Sequence, residues 1–556
     1  MKRKTLPWLL CGLAALGSGP LQAEAAERPN ILLIMADDLG YSDLGSFGGE
    51  IETPVLDGLA AGGLQLTQMY AAPSCSPTRA MLMSGTDNHL AGLGAMAEAL
   101  PHMPFLQGKP GYEGFLNEQS FSIAELLRDA GYRTSMVGKW HLGLESDQGP
   151  AARGFEQSFA LLEAGGVHFK PSTEEPTRLD RISYREDGKP VTLPDDFYST
   201  DFYTDKLITY LQEGEGSDKP FFAYAAYTAP HWPLQAPDAY IDKYRGHYDE
   251  GYDSVRSARI ERMKSLGLIP EGFASAQPLP ANPKLPGWDQ LSPEQKRYEA
   301  RRMEIYAAMV DNLDDNIGRL LDYLRESGQY ENTLIVFLSD NGAAADDHAH
   351  FYPAGKNTDN SPENMGRRGS QIDYGLRWAE VSAAPFRLFK ITTAEGGISV
   401  PAIVKLPAAM SRTGLVRNTA RVDDLAPTFL ELAGAPDPGA SYRGQPKHPI
   451  TGQSMLPLLS GNGPEVAETP VLAGELFGNI YYREGDLKLL GLRPWGDFGP
   501  SRKPVQWQLF DLSKDRGERY DLAASEPETV ERLKAAWHEY ADRVGVVRPP
   551  EKSPES

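Results

Sequence analysis

The chain has 556 residues, 41% hydrophobic and 24% charged, which is enough for a large core in two domains. Its formal net charge of -21 excludes the basic surface that a nucleic-acid partner wants. It does not exclude an anionic substrate, because a few local cations decide a pocket.

Lys2, Arg3 and Lys4 precede the apolar run "LPWLLCGLAALGSG", and "LQAEA" comes next with small residues for cleavage after Ala23 or Ala25. Residues 1–25 therefore read as a signal peptide, too short for a comfortable membrane span. No later stretch is long and apolar enough to cross a membrane, so the chain is expected to be exported, periplasmic or secreted, without stable membrane insertion. Cys11 falls within the removed segment, which leaves Cys75 as the one thiol of the mature chain and rules out an internal disulfide.

"NILLIMADD" is a continuous apolar run, the pattern of a strand buried on both faces, and it stops at Asp37 and Asp38. "SFSIAELLRDAG" predicts a helix with a capping box of Ser122 and Glu125 and a stop at Gly131. "YRTSMVGKWHLG" predicts a strand running into Lys139 and His141, and "KPFFAYAAYTAPHWP" one that ends near His231. Residues 240–300 read as an irregular insertion with short helices. Ser292-Pro293 begins a long helix with Met309, Leu313, Ile317, Leu320 and Leu324 on one face, ended by Gly328. "NTLIVFLSDNGA" is a further apolar strand, stopping at Asp340 and Asn341.

Alternating strands and helices predict an α/β fold with a large, mainly parallel sheet, whose ligands bind at the carboxyl ends of strands. Four such ends deliver polar groups here. Beyond residue 440 the pattern changes to a hairpin turning at Gly485-Asp486, a strand in "WQLFDLSKD" and a helix capped by Ser525 with Pro527 in its first turn. This predicts a small antiparallel sheet plus helix.

"SCSPTRAM" sets Cys75 beside Ser76, Pro77 and Arg79. With Ser76 as cap and Pro77 at the first helical position, Cys75 would lie at a helix N-terminus, where the dipole favours anions, with Arg79 one turn on. Asp37, Asp38, Asp340 and Asn341 offer only oxygen ligands, the set of a hard cation: Ca²⁺, with Mg²⁺ as the alternative.

Together "PNILLIMADDLG", "CSPTRAMLMSGTDNHLAG", "GKWHLG", "APHWPLQAP", "LSDNGA" and "FKITTAEGGISVPA" make the chain resemble the type I sulfatases, and among them the soluble bacterial arylsulfatases. The resemblance implies an alkaline-phosphatase-like fold, with a catalytic domain over 26–440 and a smaller C-terminal domain over 441–556. It implies that a maturation enzyme oxidises Cys75 to Cα-formylglycine. One oxygen of the hydrated aldehyde would attack the sulfur of a sulfate ester, and the second hydroxyl would release the sulfate. The family pattern carries metal binding onto Asp37, Asp38, Asp340, Asn341 and modified Cys75. It carries a cationic clamp onto Arg79 and Lys139, proton removal from the diol onto His141, and sulfate contact with leaving-group protonation onto His231 and Lys390, with the donor of the two left open. Small aryl or alkyl esters are the implied substrates. A phosphonate or phosphate ester hydrolase of the same superfamily and a non-catalytic binding protein are the alternatives. Ser399 stands where relatives often carry Arg in Gly-Gly-x-Arg-Val-Pro. "DDHAH", residues 346–350, reads as a solvated loop at the pocket rim.

Overall fold

Residues 30–36 are buried along their whole length, and alternate side chains enter different cores. Leu32, Ile34 and Ala36 join one apolar cluster; Ile31, Leu33 and Met35 join another. The period of two along a strand thus divides one apolar run between two faces of a sheet, each covered by helices. The computed structural model describes residues 28–173, 176–346, 358–461, 470–493 and 505–548. The proposed leader, Cys11 and residues 347–350 of "DDHAH" lie outside the described residues.

The main sheet has eleven strands. In chain order they are β1 (Asn30–Ala36), β2 (Leu64–Tyr70), β3 (Arg133–Lys139), β4 (Gln157–Leu161), β5 (Tyr184–Glu186), β6 (Lys189–Pro190), β7 (Phe221–Ala226), β8 (Thr333–Ser339), β9 (Ser399–Lys405), β10 (Gly414–Val416) and β11 (Ala420–Arg421). The spatial order is β10-β2-β9-β8-β1-β7-β3-β4-β5-β6, with β11 also beside β2. From β8 through β1, β7 and β3 to β4 every pairing is parallel. β9 is antiparallel to both β8 and β2, so β2 runs with β8 and the start of β9 lies at the edge where the parallel strands end. The sheet is mixed and mainly parallel, as the alternation of elements predicts.

The 34-residue helix Pro293–Glu326 covers one face, with Met309, Leu313, Ile317, Leu320 and Leu324 buried. Ser292 caps it by accepting from the Gln295 N–H, and Gly328 comes after it with φ +70°. Helices Cys75–Ser84, Ile123–Asp129 and Leu425–Leu432 cover the other face. Three expectations are corrected. The first of these helices starts at Cys75 with Ser74 as cap, earlier than Pro77 suggests. The C-terminal helix Pro527–Val544 has Glu526, not Ser525, at its cap. Residues 240–300 include the 14-residue helix Tyr252–Ser265, whose Arg259 and Met263 are fully buried. Its low apolar content hides it from a periodicity reading because its main anchor is a charge: Arg259 binds Asp43 at 2.6 Å and Glu50 at 2.7 Å, below the loop after β1.

Strands Leu472–Leu476, Asn479–Glu484, Leu487–Leu492 and Gln506–Asp511 form the C-terminal antiparallel sheet, with the hairpin turning at Gly485-Asp486. Alternation again splits it. Ile480, Tyr482, Leu489 and Leu509 pack on Leu533 and Trp537 of the C-terminal helix. Tyr481, Leu490 and Phe510 pack on Tyr70, Ala394 and Ile398 at the edge of the main sheet. Ser399 donates to Glu395 at 3.0 Å, and that buried carboxylate takes its cation from Lys488 of the C-terminal sheet at 2.8 Å. Among the described residues no helix is long and apolar enough to cross a membrane.

A second polar tie joins the two sheets. The buried His89 ring faces Asp87 at 3.0 Å and Glu475 at 3.3 Å, and Tyr540 of the C-terminal helix donates to Asp87 at 2.6 Å. Burial opposes charge on this imidazole, but hydrogen bonds to the two carboxylates raise it from 6.5 to about 9. Such a group contributes stability, here about 3 kcal/mol, that is fully present below pH 6.5 and is lost as pH rises through about 9. Calorimetry should therefore show Tm falling across this window. His89→Gln should have a lower Tm at pH 6.5 and a flatter pH dependence; an equally steep fall in the variant would contradict the assignment.

Candidate active site

Parallel strands begin in the core and end at one rim, so the residues just past each strand meet those just past its neighbours. Ala36 pairs with Ser339, and Met35 and Gly138 both pair with Ala226, which aligns four strand ends to within about a residue. Asp37-Asp38 leave β1, Asp340-Asn341 leave β8, Lys139 closes β3 ahead of His141, and His231 lies beyond β7. β2 delivers Cys75 to the same rim, and Lys390 lies before β9, whose start faces that way. All ten residues singled out in the sequence are buried there, none more than 8% exposed.

Opposite charges are interleaved. Lys139 Nζ donates to both Asp37 oxygens, at 2.9 and 2.7 Å. Arg79 Nε and Nη2 both donate to Asp340 Oδ2, at 2.9 and 2.8 Å, and its Nη1 donates to the Lys139 carbonyl at 2.9 Å. Lys390 Nζ donates to Asp38 Oδ1 at 2.6 Å and lies 3.1 Å from Cys75 Sγ. Three carboxylates thus meet three cations, of which only Lys390 reaches the cleft surface, in a region where unpaired charge is costly. Burial would raise Asp38, but Lys390, then His231 and Lys139, hold it below the usual carboxylate range. Burial and Asp340 push Asp37 up to about 7 in spite of Lys139 and Arg79, which makes it the acid most in need of a further cation.

Cys75 occupies the first position of its helix, so the helix dipole adds positive potential to that of the lysines. Burial nonetheless pushes the thiol well up, with Asp340 adding to the effect. Ser76, expected as the cap, instead has a buried hydroxyl with no hydrogen-bond partner.

The two histidines differ. His231 Nδ1 lies 2.5 Å from the Trp232 carbonyl, which only accepts, so Nδ1 carries the proton and Nε2 presents a lone pair 3.5 Å from Asp38 Oδ2. His141 Nε2 lies 3.2 Å from Glu98 Oε2, which puts the proton on Nε2, and its Nδ1 is buried without a partner. Burial lowers both rings, His231 to about 3. Asp38 and His141 have positive φ, 66° and 56°. Left-handed backbone at two non-glycine site residues is strain retained where it aims side chains.

The residues fit a hard cation. Asp38 Oδ2 and Asn341 Oδ1 are buried acceptors without a hydrogen-bond partner, and ligand atoms of Asp37, Asp38, Cys75 and His231 lie within 4.8 Å of one another. His231 is added to this group, and Asp340, whose Oδ2 is taken by Arg79, accepts the Asp38 N–H on Oδ1 at 3.2 Å and keeps a second lone pair there for a cation. Sequence reasoning missed Glu98 as a partner of His141, because a lone acid in a loop carries no periodic signal. It also missed Phe477, which lines the same cleft as Cys75, His141, His231 and Lys390. Asp346, the one described residue of "DDHAH", lines that cleft too.

A family profile described as Sulfatase matches residues 29–435. An uncharacterised sulfatase of Schizosaccharomyces pombe is 43% identical over 542 residues, covering 95% of this chain and 96% of the relative. The arylsulfatase of Klebsiella aerogenes is 40% identical over 443 residues, 79% of this chain and 93% of the relative. Among solved structures, Ps i-CgsB in complex with k-i-k-neocarrahexaose superposes with a TM-score of 0.65 at 24% identity, over 94% of each chain.

Cation binding is testable without turnover. Calcium at about a hundred times its Kd should stabilise the fold by about 3 kcal/mol, raising Tm by several degrees, and a chelator should reverse it. Asp38→Asn should abolish the rise; an unchanged rise would place the cation elsewhere.

Proposed function

The chain belongs to the sulfatase family and is a sulfuric ester hydrolase, and from that premise we propose that it cleaves small aryl sulfates with Cys75 converted to Cα-formylglycine and a calcium ion bound. The observation that carries this is the setting of Cys75: first residue of a helix, Sγ 3.1 Å from Lys390 Nζ, at the rim where Arg79, Lys139 and the acidic strand ends converge. Converted position 75 supplies a geminal diol, one hydroxyl for attack on sulfur and the other for release of sulfate, and Asp37, Asp38, Asp340 and Asn341 would hold a cation that offsets the charge of the sulfate oxygens.

The remaining roles fall to the chain's own side chains. Arg79 is locked by Asp340 and the Lys139 carbonyl, so it acts as fixed positive charge rather than a mobile arm. His141, with its proton committed to Glu98, has a lone pair on Nδ1 for the proton of the second hydroxyl. In the tautomer that Trp232 dictates, His231 has no proton on Nε2, whereas Lys390 always has N–H protons at the position of Sγ. We therefore assign leaving-group protonation to Lys390, while His231, with a lone pair and no proton on Nε2, faces the cation site beside Asp38. Export completes the reading: residues 1–25 act as signal peptide and a maturation enzyme converts Cys75.

Two experiments test this reading. Mass spectrometry of the peptide around Cys75, from a host that has the maturation enzyme, should find the aldehyde rather than the thiol. The Cys75→Ala variant should lose at least about a thousandfold in kcat for an aryl sulfate while keeping its calcium-induced rise in Tm. Thiol throughout, faster cleavage of an aryl phosphonate, or retained turnover would each sink it.

Glu98→Gln should lower kcat about tenfold, because the neutral amide no longer holds the tautomer. The charged groups facing His141 are Glu98, Lys139 and Arg79, and only Glu98 raises it. Its loss lowers the base's pKa, so the acid limb of the pH–kcat profile should move to lower pH. An acid limb that stays put, or moves up, would separate Glu98 from the proton transfer.

A further inference from the structure

The turn between the first two strands of the C-terminal sheet has only two residues, Phe477 and Gly478, since Leu476 pairs with Asn479. Both have positive φ, 53° and 82°. Two-residue hairpin turns of this kind favour Asn-Gly, because a short polar side chain tolerates the left-handed region and a bulky one does not. Phe is a poor occupant. Beside this turn Ile391 has φ 73°, and for a β-branched residue that conformation is a genuine outlier. Two apolar residues least suited to this backbone therefore both line the cleft that contains Cys75 and Lys390.

The surrounding structure holds both in place. Glu475 accepts the Gly478 N–H and faces His89 at 3.3 Å. Asn479 Nδ2 donates to the Ile391 carbonyl at 3.1 Å, so the turn is tied directly to the residue after Lys390. Thr393 donates to the Ile480 carbonyl at 3.0 Å, and the Ile391 N–H donates to the Pro73 carbonyl at 2.6 Å, two residues before Cys75. The Phe477 ring is half-buried against Ala95, Met103 and Tyr112, which fixes it while leaving part of it to the cleft. Nothing in hairpin formation asks for an aromatic ring here. Strain kept by this many ties points to a role in the cleft.

We propose that Phe477, with Ile391, is the face on which the leaving group of the ester rests, and that it selects aromatic over small alkyl alcohols. This rests on the sulfate-ester reading of the same site. A planar apolar ring gains from stacking on Phe477 and from displacing water off Ile391. Methyl sulfate has no ring to stack and little apolar surface to bury. Phe477 is thus a specificity-determining residue contributed by the C-terminal sheet to chemistry performed by the main sheet.

The decisive variant is Phe477→Asn, which suits the turn better than the native residue and removes the ring. Its Tm should stay close to that of the parent, the better turn residue offsetting the packing lost against Ala95, Met103 and Tyr112. KM for phenyl sulfate should rise about tenfold with kcat little changed, while KM for methyl sulfate and competitive inhibition by inorganic sulfate stay as they are. Phe477→Leu, which keeps apolar bulk, should fall between. An unchanged KM for phenyl sulfate overturns the proposal, and so does an equal rise for both esters, which would mark the ring as architectural. If the parent cleaves neither ester, the sulfate-ester reading fails first. Calorimetric binding of phenyl sulfate then decides: about tenfold weaker binding by Phe477→Asn supports the contact, and equal binding overturns it.

Discussion

Three buried carboxylates and three buried cations at the ends of adjacent strands are the constraint on which the rest of this structure depends. None of Asp37, Asp38, Asp340, Arg79 or Lys139 is more than 1% exposed, so none can be satisfied by water. Each must find its partner, and the partners come from different strands: Lys139 of β3 reaches Asp37 after β1, while Arg79 of the helix after β2 reaches Asp340 after β8. A one-residue slip in any of these strands would leave charges unpaired in the interior, besides turning its apolar side chains to the wrong core. The cluster therefore enforces the register of the sheet, and the sheet in return supplies the rigidity that the cluster needs. Site and fold are one set of interactions.

The C-terminal sheet obeys the same logic at its contact with the main sheet. Its inner face meets Tyr70 and Ile398, which lie on either side of the segments bearing Cys75 and Lys390. Across that contact the ion pairs are again buried, Lys488 with Glu395 and Glu518 at 2.8 Å each. This polar seam has a definite geometry, which an apolar seam alone would not impose. That geometry lets a two-residue turn on one sheet keep its place beside a nucleophile on the other.

Much of this was legible in the sequence because strands buried on both faces leave a strong mark. "NILLIMADD" and "TLIVFLSDN" announce an apolar run and then a sudden pair of polar residues, and those edges mark the strand ends. β2 and β9 carry no such edge. "LQLTQMY" mixes polar and apolar residues because Gln65 and Gln68 bond to backbone carbonyls at the sheet margin. "SVPAIVK" flows directly from the short helical turn Glu395–Ile398. The cap at Ser74 was displaced from the expected Ser76 because Thr78 reaches back to the Ala72 N–H at 2.9 Å, which closes the turn earlier than a Ser-Pro signal suggests. Glu98 and Phe477 were invisible for a different reason. Their importance comes from what stands opposite them in space, and no local pattern encodes that.

Charge also bears on which ester the site suits. With both histidines neutral, the four acids Asp37, Asp38, Asp340 and Glu98 exceed the three bases by one negative charge once all are ionised, a state that a divalent cation beside Asp37 would favour. Such a cation would leave one positive charge, to be offset by whatever binds there. A monoanionic sulfate ester would supply one negative charge and bring the set to neutrality. A dianionic phosphate monoester would exceed it by one and would have to shed that charge or draw in another cation. The protein as a whole, at -21, repels a dianion more strongly than a monoanion at long range. The local count thus favours sulfate over phosphate monoesters through the same carboxylate–cation pairs that hold the strands in register.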